Sequence, residues 1–137
     1  MEFEIKSERG YSILFHTQEH NKNQLLDYYS VTLTTPSMSA TVRIDNAPAG
    51  VTPIEFFEKI SNGGRGEKAW ASLEREFELS AASDSTGHTT IIARVYSGFS
   101  SPSAAMSIGF QIEASQLKKI QKKASEFFKY SEVKSCI

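Results

Sequence analysis

From Phe3 to Ile44 apolar residues recur at every second position, in runs separated by polar stretches. Phe3 and Ile5 alternate with Glu2, Glu4 and Lys6, and beyond Arg9-Gly10 the residues Tyr11, Ile13 and Phe15 alternate again. Successive side chains of a strand point to opposite faces, so this period of two predicts a hairpin. Tyr29, Val31 and Leu33 predict a third strand, and Met38, Ala40, Val42 and Ile44, beyond Pro36, predict a fourth.

The period then changes. Thr52-Pro53-Ile54-Glu55 combines a capping hydroxyl, a proline at the first helical position and a glutamate three residues after the cap, so that two backbone donors can be satisfied reciprocally. This predicts a helix of about eight to ten residues that buries Ile54, Phe57 and Ile60 and stops at Asn62-Gly63-Gly64. Alternation returns over residues 74–82, with Phe77 and Leu79 inward and Glu74, Glu76 and Glu78 outward, and residues 88–97 supply the partner strand. Between them Asp84-Ser85-Thr86-Gly87-His88 fits a three-residue hairpin loop whose last position needs positive φ, which Gly87 supplies. That register sets Glu78 opposite Arg94 and Phe77 opposite Val95. A polar loop, Gly98 to Ser103, leads to a last strand with Met106, Ile108, Phe110 and Ile112.

From Ser115 onward Leu117, Ile120, Ala124, Phe127 and Phe128 fall within an arc of about 100° on a helical wheel. Lys118, Lys119, Lys122, Lys123 and Lys129 fall on the other side. The expected fold is therefore α+β, in the order ββββαβββα: one domain over residues 1–137, a mostly antiparallel sheet of about seven strands, and both helices on one face. No internal repeat is visible.

Composition narrows the class. The chain has 137 residues, 39% hydrophobic and 23% charged, which suits one globular core. Fifteen basic residues against sixteen acidic ones announce no polyanionic or polycationic partner. The single Cys136 excludes an intrachain disulfide framework. The first residues lack the features of a secretory signal, and no apolar run reaches the ~20 residues that cross a bilayer. A cytoplasmic protein with no membrane partner is expected.

Four stretches raise the question of chemistry. His16-Thr17-Gln18-Glu19-His20 spells the HxxEH pattern of inverted zinc peptidases, but those ligands need one helix face and a further carboxylate. Here the five residues follow the alternating strand Tyr11 to Phe15, with no helical amphipathicity around them, and in a strand or loop the two histidines would not converge, so no metal site is expected. Asp84 beside His88 could orient an imidazole as a general base, although Asp84 also suits capping the turn. Asn62-Gly63-Gly64-Arg65-Gly66 follows a helix, whereas phosphate loops precede one. The lysine face carries no arginine or interleaved aromatic and reads as a solvated surface, so a nucleic-acid partner is not expected. No serine lies in a GxSxG turn. No cofactor is implied.

Residues 56–95 carry Phe56-Phe57 in a short helix, a glycine-containing loop, Trp70-Ala71-Ser72-Leu73-Glu74, then Asp84 and Gly87-His88 entering a strand. This pattern resembles a small uncharacterised family of single-domain bacterial proteins similar to toxin immunity proteins. The resemblance implies a protein partner, a cognate toxin domain neutralised by binding, and no catalytic residues. Glu74, Glu76 and Glu78 are the expected contact surface. The alternatives are a small hydrolase using Asp84 and His88, and a small-molecule carrier lined by some of the nine phenylalanines.

Overall fold

The structure is a computed structural model that describes residues 1–47, 50–63, 66–97 and 104–131. The expected loop Gly98 to Ser103, the pair Gly64-Arg65 and Cys136 lie outside the described residues. The fold is α+β, with eight strands in two antiparallel sheets and two helices among the described residues. The first sheet runs β1 (Phe3–Lys6), β2 (Ser12–His20), β3 (Leu26–Thr34) and β4 (Ser39–Asp45) in chain order, and α1 (Pro53–Ser61) follows. The second runs β5 (Gly66–Ala71), β6 (Phe77–Ser83), β7 (Thr89–Ser97) and β8 (Ala104–Ile112), and α2 (Ala114–Phe128) follows.

Two expectations are corrected. The single sheet of about seven strands is two sheets of four among the described residues, and the extra strand is β5, for which the hydrophobic pattern predicts no element. Its sequence, GEKAWA, buries Trp70 alone and carries two adjacent charges, too little for a period of two to show. The strand expected over 74–82 begins at Phe77. Buried Ser72 closes a turn before it: its amide donates to the Phe77 carbonyl at 2.9 Å, and its Oγ accepts the Phe77 amide at 3.1 Å.

With β5 in place a repeat emerges, because residues 3–61 and 66–128 are each a four-stranded meander followed by a helix. The principal contacts between the halves come in matched pairs: β4 meets β7 as β8 meets β3, α1 meets β5 as α2 meets β1, and the two helices meet each other. This is the contact pattern of a pseudo-two-fold arrangement.

Local reasons for the elements are visible. Thr52 Oγ1 accepts the Glu55 amide at 3.2 Å, the Thr52 half of the expected cap. Gly63, at φ +74°, ends α1 by donating to the Ile60 carbonyl. The helix buries Phe56, Phe57 and Ile60, with Ile54 packed at the margin. Both sheets and both helices feed one aromatic cluster centred on Phe15, whose ring lies 5.0 Å from Phe3, 5.8 Å from Phe77 and 5.9 Å from Phe128, centroid to centroid. Such edge-to-face and stacked contacts add to the burial of each ring. No helix among the described residues is long and apolar enough to cross a membrane.

Candidate functional site

Because both inner faces are spent on the core, chemistry and recognition are left to the outer faces and the loops. On the outer face of the first sheet the side chains bind one another. β2 carries a bulge between His16 and Glu19, where Thr17 takes φ 52°. The extra residue puts His16 and Glu19, three apart, on one face, where an unbroken strand would separate them. Gln18 turns elsewhere, donating to the Phe127 carbonyl at 2.8 Å. His16 Nδ1 lies 2.8 Å from Thr17 Oγ1, its Nε2 lies 2.7 Å from Thr32 Oγ1, and Thr32 Oγ1 lies 2.7 Å from Thr41 Oγ1. Arg43 donates to both Glu19 oxygens, at 2.8 and 3.0 Å, and its guanidinium sits 3.7 Å from the centre of the Tyr28 ring. The hydrogen bond from Arg43 holds the Glu19 carboxyl below its usual range. The zinc-like pentapeptide is thus drawn into a threonine network and an ion pair. Among the described residues no group of three or more histidines, cysteines or carboxylates is arranged to hold a metal ion.

The outer face of the second sheet is built differently. Cross-strand register lines up Ala69, Ser80, Ile92 and Gly109 in one row and Ala71, Glu78, Arg94 and Ser107 in the next. In the first row Ile92 stands alone between a serine and a glycine and is 44% exposed. A Cβ on Gly109 would come within 3.4 Å of Ile92 Cγ1, so the glycine gives that side chain its room. Along one side of the row runs a polar chain. Arg94 donates to the Tyr96 hydroxyl at 3.2 Å, which donates to Glu78 Oε2 at 3.3 Å, and Arg75 reaches Glu78 Oε1 at 3.9 Å. The bond to Tyr96 raises the Arg94 pKa. Arg75, Glu78, Ile92 and Arg94 border an open groove of about 530 Å³ that also touches Glu67, Ala69 and Trp70.

The three glutamates expected to form an outward row do not share a strand. Only Glu78 is on β6, opposite Arg94 as expected. Glu74 is exposed in the turn before it, with Leu73, 53% exposed, beside it. Glu76 precedes the strand and turns inward, with Oε1 buried and unpartnered among the described residues. Tyr29 is held well above its ordinary pKa, first by its burial and then by the Glu76 charge. Alternation misled the reading here because the Ser72 turn inserts itself into an apparently regular pattern.

Asp84 and His88 close the β6–β7 hairpin as the sequence implies. The Asp84 amide donates to the His88 carbonyl at 3.0 Å, and Gly87 has φ +89°. Asp84 Oδ1 accepts the Thr86 hydroxyl at 2.7 Å and the amides of Thr86 and His88 at 2.8 and 3.0 Å. Those bonds, the Thr86 hydroxyl foremost, lower the Asp84 pKa, so the carboxylate serves the turn. The structure adds Glu113, the cap residue of α2, whose Oε2 lies 3.5 Å from His88 Nε2, while Thr86 Oγ1 lies 2.9 Å from Nδ1. Sequence spacing carries no signal for Glu113, 25 positions beyond His88.

Two further regions complete the survey. Lys119, Lys122 and Lys123 of α2 border a groove that Glu2, Glu4, Leu14 and Glu126 also line, so its charge is mixed. Where the halves meet, Tyr29, Asn46, Thr52, Trp70, Ser72 and Ser131 line a small cavity of about 30 Å³.

The chain belongs to a family of unknown function, DUF6228, whose model matches residues 4–131. No curated protein and no solved structure matches.

Proposed function

We propose that the protein is a non-catalytic binding protein, an immunity protein that neutralises a cognate bacterial toxin by seating it on the outer face of the second sheet. The observation that carries this reading is the lone, half-exposed Ile92 in a row of small residues, bordered by Arg94, Tyr96, Glu78 and Arg75. Arginine and tyrosine around an apolar anchor are the composition of binding hot spots. Charges of both signs, including exposed Glu74, fix the orientation of a partner more than they add affinity. The contact surface therefore keeps Glu74 and Glu78 and centres on Ile92 and Arg94, with Glu76 supporting it from within.

The test is co-purification of the tagged chain with the neighbouring reading frames of its own genome. The expected result is a stoichiometric partner carrying a toxin domain, lost with Arg94→Glu. A chain that purifies alone from every such co-expression would remove the toxin assignment.

A second reading has one observation behind it, the placement of His88 between Asp84 and Glu113. It makes the hairpin tip an acid/base centre of a small hydrolase. His88→Ala should then abolish turnover without unfolding the chain, and undiminished turnover would end it. The carrier reading has less support, since the described phenylalanine rings are buried against the core and the cavity of about 30 Å³ where the halves meet is far smaller than the roughly 300–1,000 Å³ of small-molecule pockets.

A further inference from the structure

We propose that Arg75 is the residue that selects the partner: a left-handed backbone conformation holds its guanidinium at the edge of the Ile92 groove, where it receives a carboxylate of the bound protein. This inference rests on the outer face of the second sheet being the binding surface, and it names the chemistry the partner presents there.

The β1–β2 and β5–β6 turns occupy equivalent places in the two halves, and a serine closes each. The Ser7 amide donates to the Tyr11 carbonyl at 2.9 Å, Ser7 Oγ accepts the Tyr11 amide at 3.3 Å, and the Ser7 carbonyl accepts the Gly10 amide at 3.4 Å. In the second half the Ser72 amide and Oγ meet Phe77 at 2.9 and 3.1 Å, and the Ser72 carbonyl accepts the Arg75 amide at 2.9 Å. The residue three beyond the serine has positive φ in both turns, +88° at Gly10 and +58° at Arg75. One half thus uses glycine, which adopts that conformation at no steric cost. The other uses arginine, whose Cβ crowds the backbone there. Only the Arg75 amide serves the turn, so its hydrogen bonding calls for no side chain at this position. Strained residues of this kind cluster at binding and catalytic sites.

The side chain stands where a partner would meet it. Thr17 and Gln24, the other non-glycine residues with positive φ among the described residues, lie in the first half, whereas Arg75 lines the groove with Glu78, Ile92 and Arg94. The Arg75 side chain is 79% exposed, and its Nη1 lies 3.9 Å from Glu78 Oε1, an ion pair beyond hydrogen-bond reach. Glu78 Oε2 and Arg94 are both engaged by the Tyr96 hydroxyl. The Arg75 fork therefore keeps its donors for a partner, and the group of a protein that matches this planar fork bidentately is a carboxylate. Exposed Glu74, one residue before it, repels an acid placed one step away and so fixes the register. Because Ser72 already holds the turn, little order is lost on binding.

The test compares Arg75→Gly, Arg75→Ala and Arg75→Lys in urea unfolding of the isolated chain and in titration against the co-purified partner, with Ile92→Lys as the reference. Arg75→Gly should unfold at a higher urea midpoint than Arg75→Ala, because glycine alone relieves the left-handed strain. Both should bind the partner about tenfold or more weakly than the wild type. Arg75→Lys keeps the charge and loses the fork, so it should recover only part of the affinity. Higher stability with weaker binding from one substitution is a result that a merely structural residue would not give. A glycine variant no more stable than the alanine variant would remove the strain and overturn the proposal. Wild-type affinity for Arg75→Gly, with binding abolished by Ile92→Lys, would overturn it too and leave the second sheet as the surface. Wild-type affinity for both variants would overturn the surface and this inference together.

Discussion

The two halves share a topology, yet their outer faces are finished in opposite ways. On the first sheet the polar side chains satisfy one another: His16 with Thr17 and Thr32, Thr32 with Thr41, Arg43 with Glu19. On the second, the central row is alanine, serine, isoleucine and glycine, and within that row Ile92 has no neighbour of its own size. A face whose groups are already paired gains little by meeting a partner, because its hydrogen bonds would merely be exchanged. A face of small residues around an exposed apolar side chain and an arginine–tyrosine pair gains apolar burial at low desolvation cost. Under the proposed function, this contrast is the reason for seating the partner on the second sheet and not on the first.

The largest effect should come from breaking what the halves share. Phe15 touches rings from both sheets and both helices, so Phe15→Ala should cost about 3–5 kcal/mol, a large part of the total stability of an ordinary domain. Urea unfolding followed at Trp70 and by backbone circular dichroism should move together. Separate transitions would show that the halves do not share one core.

Next in size is Ile92→Lys, which should lower partner affinity about 30-fold or more, the range of an interface hot spot, at nearly unchanged Tm. A partner that binds this variant normally would move the interface elsewhere. On the opposite face Thr32→Val removes the hydroxyl between His16 and Thr41 and should cost about 1 kcal/mol of stability with no change in partner affinity. Chemical denaturation and a binding titration on the same sample measure both.

The smallest effect concerns pH. Glu19 is held below its usual pKa by the hydrogen bond from Arg43, so its folded-state value lies below its unfolded one, near 4.3. Its contribution is present above that unfolded value and is lost as pH falls through the folded one. The pair is exposed, so the change should be slight. The Glu19 carboxyl followed by NMR should titrate below the ordinary glutamate range, and Arg43→Gln should return it to that range. An Arg43→Gln variant with the same midpoint would contradict the assigned cause.

Much of this architecture was legible in the chain. The hairpin register, with Glu78 opposite Arg94 and Asp84 closing against His88, followed from alternation and one glycine, and it stands. So do the cap at Thr52 and the buried stripe of α2. What escaped notice depends on events that periodicity does not record. The bulge at Thr17 brings Glu19 beside Arg43, the turn at Ser72 takes Glu74 and Glu76 off the strand, and β5 is too short and charged to alternate. The repeat was hidden with β5. The candidate face escaped for another reason: Ala69, Ser80, Ile92 and Gly109 form a row only after four strands are paired, and no spacing within one strand contains it.

The measurement that bears most directly on the account is a matched pair of lysines, one on each outer face: Ile92→Lys and Thr41→Lys, both at exposed positions, titrated against the co-purified partner. The account predicts that Ile92→Lys abolishes or severely weakens binding and that Thr41→Lys leaves it within about twofold, a difference below the 1.4 kcal/mol of a tenfold change. Binding lost with Thr41→Lys and kept with Ile92→Lys would contradict it.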